Sequence, residues 1–157
     1  MLKRQMIRLM LAVLLVVFTF LAALIWSKNY DKQPDPKARF TIRSVQVKRD
    51  QSFYWLDIHL KKSGPQAHDM RRQVRLIDAV GQKHEPADTT FAGSPETGFT
   101  DIWYKFWLEK QDLESSLTLR INDGLLRVKT NQGMPEIGKH KAAVFNSSDW
   151  RKSWLGF

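Results

Sequence analysis

From Leu9 to Ser27 the chain reads LMLAVLLVVFTFLAALIWS, nineteen positions without a charge. At ~1.5 Å per residue such a helix nearly crosses a hydrocarbon core of ~30 Å. Thr19 is the one polar interruption before Ser27, so no face of this helix is built for water. Beyond it the pattern changes to short alternations, the signature of half-buried strands. Phe40-Thr41-Ile42 alternates in one phase and Val45-Gln46-Val47 in the other. That shift predicts a bulge or a bend near Arg43-Ser44.

The next run, Phe53 to Leu60, puts Tyr54, Leu56, Ile58 and Leu60 on one face and Phe53, Trp55, Asp57 and His59 on the other. Gln73 to Val80 reads as a third strand closed by Gly81. Ile102 to Leu108 is the strongest after that. It turns Ile102, Tyr104, Phe106 and Leu108 inward and Trp103, Lys105 and Trp107 outward. Leu117 to Ile121 and Leu125 to Lys129 flank Asn122-Asp123-Gly124, a hairpin turn sequence. Thr89-Thr90-Phe91 and Ala142 to Phe145 are further short candidates. Gly81 to Asp101, rich in Gly, Pro, Thr and Ser, reads as a long solvated connection. No convincing amphipathic helix lies between the strands. About seven strands with regular turns predict a mainly β fold, an immunoglobulin-like β-sandwich, with a small barrel as the alternative.

Four parts follow along the chain. Residues 1–8 form a basic tail, 9–27 a transmembrane anchor, 28–38 a linker with Pro34 and Pro36, and 39–157 the β domain. A removable signal has a shorter apolar core and small residues at its cleavage site. Here Leu24-Ile25-Trp26 stand at that position, and Ala22-Ala23 offer only a weak site. The expectation is an uncleaved single-pass anchor, with a cleaved signal or a buried core helix as alternatives. Lys3, Arg4 and Arg8 precede the span, while Lys28, Lys32, Lys37 and Arg39 follow it. A basic tail before an apolar run favours a cytoplasmic N-terminus and a translocated, periplasmic domain in an inner membrane.

Charge and composition narrow the picture further. The 157 residues carry 25 Lys+Arg against 16 Asp+Glu, a net charge of +9. A basic domain tied to a membrane suits anionic headgroups. Arg71-Arg72 with Arg75, and Lys61-Lys62, are the densest basic clusters, but they lack the modules of nucleic-acid binders. No nucleic-acid partner is expected. Cysteine is absent, which removes disulfides, thiolate chemistry and cysteine-based zinc sites.

Basic tail, span, Pro-containing linker, Leu76-Ile77-Asp78-Ala79-Val80-Gly81 and the aromatic strand Ile102 to Leu108 come in that order. The chain resembles, in this order, small membrane-anchored immunoglobulin-like domains of bacterial envelope proteins. The resemblance covers most of Arg39 to Thr130. It implies fold and location and carries over no site residues.

Catalytic signatures are missing. No nucleophile elbow, P-loop or dinucleotide fingerprint occurs, and His59, His68, His84 and His140 form no ligand pair by spacing. Glu85, Asp88, Glu96 and Asp101 read as surface carboxylates rather than an acid/base pair. The expectation is a protein that is not an enzyme and that needs no cofactor and no metal. An Asp57/His59 face with the loop around His84 is the alternative, as a small-ligand or metal site.

The six tryptophans carry the functional expectation. Trp55, Trp103 and Trp107 share one sheet face if their strands pair. Trp150 and Trp154 are four apart and share one side of a helical turn, close to Phe157. These C-terminal rings either cover the band or dock elsewhere. Trp103, Trp107, Trp150, Trp154 and Phe157 are therefore the candidate partner-binding residues. The expected partner is another membrane or envelope protein, with the chain as an accessory or assembly subunit.

Overall fold

A computed structural model describes residues 2–30, 34–130, 133–134 and 136–145. Trp150, Trp154 and Phe157 lie outside the described residues. The chain divides into two units, Met1–Gln33 and Pro34–Phe157.

The first unit contains helix α1, Leu2–Tyr30. Its segment Gln5–Ala23 is long and apolar enough to cross a membrane, and none of it is buried within the protein. Leu9, Leu15 and Phe18 remain 65–70% exposed. A helix that is apolar all round and unburied requires an apolar surrounding. It fits a single-pass anchor or a signal sequence.

The second unit is mainly β. Its strands are β1 (Phe40–Asp50), β2 (Phe53–Lys62), β3 (Arg75–Ile77), β4 (Lys83–His84), β5 (Asp88–Ser94), β6 (Gly98–Leu108), β7 (Leu117–Ile121), β8 (Gly124–Lys129) and β9 (Ala142–Phe145). A short helix, α2 (Lys110–Glu114), follows β6. A five-stranded antiparallel sheet has the order β5-β6-β2-β1-β9, and a four-stranded one the order β4-β3-β7-β8. The chain changes sheet after β2, β4, β6 and β8.

Alternation decides the inward faces. Tyr54, Leu56, Ile58 and Leu60 of β2 and Ile102, Tyr104, Phe106 and Leu108 of β6 are buried, as expected. Leu76, Leu119, Leu126 and Val128 from the smaller sheet belong to the same core cluster, so the sheets are two layers over one core. The predicted phase shift in β1 is present, where the register against β2 slips between Ile42 and Ser44.

The third strand is shorter than the sequence pattern predicts. Asp78 ends it, because its Oδ1 accepts the N–H groups of Val80 and Gln82 at 3.0 and 2.8 Å. An Asp that captures backbone donors two and four residues on makes a turn, not a ladder. Gly81 to Asp101 is largely exposed, as expected, but it is not merely a connection, and the short candidate Thr89-Thr90-Phe91 lies within one of its strands. It supplies β4, β5 and the start of β6, with β5 paired along β6. Gly93 at the end of this pairing permits a close approach, since a Cβ there would stand 2.0 Å from the Gly98 carbonyl oxygen.

The domain entrance is pinned by two side chains. Asp35 caps a 3₁₀ turn, Pro36–Ala38, and its Oδ2 accepts the Leu125 N–H at 3.0 Å. Ala38 is fully buried against Gly124, where a Cβ would meet the Ala38 nitrogen at 2.1 Å. At the other end of the core, the buried Lys129 donates from Nζ to the carbonyls of Leu113 and Ser115 at 2.5 and 2.8 Å. It thereby satisfies carbonyls at the end of α2. Burial pulls the Lys129 pKa down to about 8, against the nearby Glu114.

Candidate docking face

β2 and β6 pair directly, and their outward side chains form rows across the larger sheet. One row is Lys48, Trp55, Trp107. The next is Gln46, Asp57, Lys105, Asp88, and the third is Ser44, His59, Trp103, Thr90. Two aromatic rows thus flank one charged row.

In the first row Trp55 and Trp107 meet edge to face at 4.4 Å. Phe53 stacks on Trp107 at 5.1 Å, which makes a three-ring cluster at one end of the strands. Phe53 and Trp107 are 38% and 40% exposed. In the third row the His59 and Trp103 rings stack at 4.4 Å with planes 11° apart. His59 Nε2 donates to Asp101 Oδ1 at 2.8 Å. That hydrogen bond holds the Asp101 carboxyl below its ordinary range.

The charged row is unevenly satisfied. Lys105 reaches Asp88 at 3.7 Å. Asp57 Oδ1, between the aromatic rows, is buried and has no hydrogen-bond partner. Burial pushes the Asp57 carboxyl up, while Lys105 and His59 pull it back in part. A carboxylate held this way among rings costs stability. Val144 of β9 lies opposite Gln46 on β1 and is exposed, so the apolar character extends to that edge.

Trp103 and Trp107 therefore share one face of the sheet, as expected. Trp103 is half-buried against His59, whereas Trp107 is open. Asp57 and His59, the alternative ligand pair, are on the same face, and His59 Nε2 is bonded to Asp101. Glu85, Asp88 and Asp101 are engaged separately, with Arg75, Lys105 and His59. The stacking of Trp103 on His59 is not legible from either strand alone. Its signal was the shared phase of His59 and Trp103, legible only once the register is known.

The face thus combines rings half-open to solvent with a carboxylate whose Oδ1 is buried and unpartnered beneath it. No protein-family model matches the chain, and neither a curated protein nor a solved structure is significantly similar to it.

Proposed function

We propose that this chain is a membrane-anchored, extracytoplasmic immunoglobulin-like module that docks a second envelope membrane protein as an accessory or assembly subunit. The outer face of the larger sheet carries the contact. The strand order supports the fold reading: β1, β2, β6 and β5 lie as strands A, B, E and D, and β3, β7 and β8 as C, F and G. β4 then extends the second sheet beside β3.

The observation that carries the docking reading is the cluster of Phe53, Trp55 and Trp107, with Phe53 and Trp107 exposed, next to the buried, unpartnered Asp57 Oδ1. Tryptophan is among the residues that dominate interface energetics. An apolar anchor on the same chain raises the local concentration of a membrane partner, so a modest affinity suffices.

The test uses the full-length chain in its native membranes. A photoreactive amino acid replaces Phe53 on the proposed face or Leu125 on the smaller sheet. The expected result is one membrane-protein adduct from position 53 that is absent from position 125 and lost on adding Trp107→Ala. Equal adducts from both positions, or adducts with lipid alone, would overturn the reading. Adding Trp150→Ala and Trp154→Ala shows whether the C-terminal rings share the contact.

A further inference from the structure

We infer that Asp78, His84 and Asp112 form a site for one divalent first-row transition-metal ion. The ion joins helix α2 to the β3–β4 hairpin. The three residues come from the β3–β4 turn, from β4 and from α2. One ligand atom from each lies within 4.8 Å of the other two.

His84 supplies an observation of its own. Its Nε2 is buried and has no hydrogen-bond partner. Asp78 Oδ2 stands 3.9 Å from it, too far for a hydrogen bond. Two donors each ~2.0–2.2 Å from one ion are ~3–4 Å apart. The gap has the width of a shared ion.

Both carboxylates are held by backbone donors. Asp78 spends Oδ1 on the Val80 and Gln82 N–H groups and turns Oδ2 toward His84. Asp112 accepts the Glu109 N–H on Oδ2 at 2.9 Å, at the start of α2. Backbone donors of this kind fix ligand orientation in metal sites. The side chains of Asp78 and His84 are 4% and 12% exposed, and Asp112 is 8% exposed. Burying two carboxylates and an imidazole is unfavourable unless charge is compensated.

Donor chemistry narrows the ion. One imidazole and two carboxylates suit zinc and its neighbours, whereas calcium takes six to eight oxygens. Three protein donors leave the fourth tetrahedral position to a water molecule, and the ion still ties the two segments together. The two segments already meet, since the Ala79 N–H donates to Ser115 Oγ at 3.5 Å. In a chain without cysteine, the ion does the cross-linking that a disulfide would otherwise do.

The test takes the full-length chain in detergent, without a polyhistidine tag. It is stripped with chelator, exchanged against zinc and passed over a desalting column. Metal analysis is expected to find one zinc per chain and a higher Tm than in the stripped protein. His84→Gln and Asp112→Asn are expected to lose the zinc and the Tm response, while His140→Gln keeps both. Zinc retention by His84→Gln equal to that of the parent would overturn the inference, as would no retention by the parent. Should the variants fail to fold, X-ray absorption of the zinc-loaded parent decides. One imidazole among oxygen donors supports the site, and several imidazoles place the ion elsewhere.

Discussion

Trp55 and Trp107 stand directly opposite each other on β2 and β6, and their rings meet edge to face at 4.4 Å. The two are not equivalent. Trp55 is half-buried beneath its neighbours, whereas Trp107 is 40% exposed. Burial of this degree ties Trp55 to the packing of the sheet more closely than Trp107. Trp55→Ala is expected to lower the unfolding free energy by about 3 kcal/mol and Trp107→Ala by about 1 kcal/mol. Urea denaturation of the two variants measures the difference. A loss from Trp107→Ala as large as that from Phe106→Ala in the core would make Trp107 a packing residue.

Asn122 sets the geometry of a second region. Its backbone is left-handed, with φ 52°, and its side chain is buried. Nδ2 donates to the Ala38 carbonyl at 2.6 Å, and Oδ1 accepts from the Asp69 N–H and from His68 Nδ1, each at 2.9 Å. The Tyr104 hydroxyl donates to His68 Nε2 at 3.3 Å, which completes a neutral imidazole with one donor and one acceptor. Burial correspondingly pulls the His68 pKa down. Asn122→Gly keeps the backbone conformation and loses the bonds, and it is expected to cost about 2 kcal/mol. Asn122→Ala adds the penalty of a left-handed alanine, about 1 kcal/mol more. Equal losses in calorimetry would show that the backbone conformation contributes nothing.

Asp57 gives a pH dependence with a definite sign. Its folded pKa is raised above the ordinary 3.8, chiefly by burial. As pH falls, the folded state binds the proton before the unfolded chain does. The charge therefore costs stability at neutral pH, and the cost disappears as pH falls through the folded pKa toward 3.8. Asp57→Asn is expected to raise Tm at pH 7 and to leave it unchanged near ~pH 3. Thermal melts at the two pH values are the check. A lower Tm for Asp57→Asn at pH 7 would mean that the charged carboxylate is stabilised in the folded domain. The same substitution changes the charge beneath the proposed docking face, so greater stability with weaker crosslinking at position 53 would mark Asp57 as kept for the proposed contact.

Much of the outer face was legible before the fold was known. Trp55, Asp57 and His59 share a phase, as do Trp103, Lys105 and Trp107, because successive side chains of a strand point to opposite sides. The slip near Arg43-Ser44 was legible for the same reason. The end of β3 was not. Asp78 looked like one more strand position, and only its two bonds to Val80 and Gln82 show it closing a turn. Gly81 to Asp101 read mostly as loop because its composition is that of turns, with only Thr89-Thr90-Phe91 offering a strand, yet pairing with β6 makes an edge strand of Asp88 to Ser94. Neighbouring strands override weak local preference.

By itself the sequence determined an apolar stretch with no water-facing side, the β character of the rest, and the inward and outward faces of its main strands. These follow from local composition and the two-residue period of a strand. Tertiary structure alone decided that Trp55 meets Trp107, that His59 reaches Asp101, and that Asp78, His84 and Asp112 converge. Those relationships join positions far apart in the chain. They depend on strand order and register, which the shared burial of both sheets selects and no local pattern encodes.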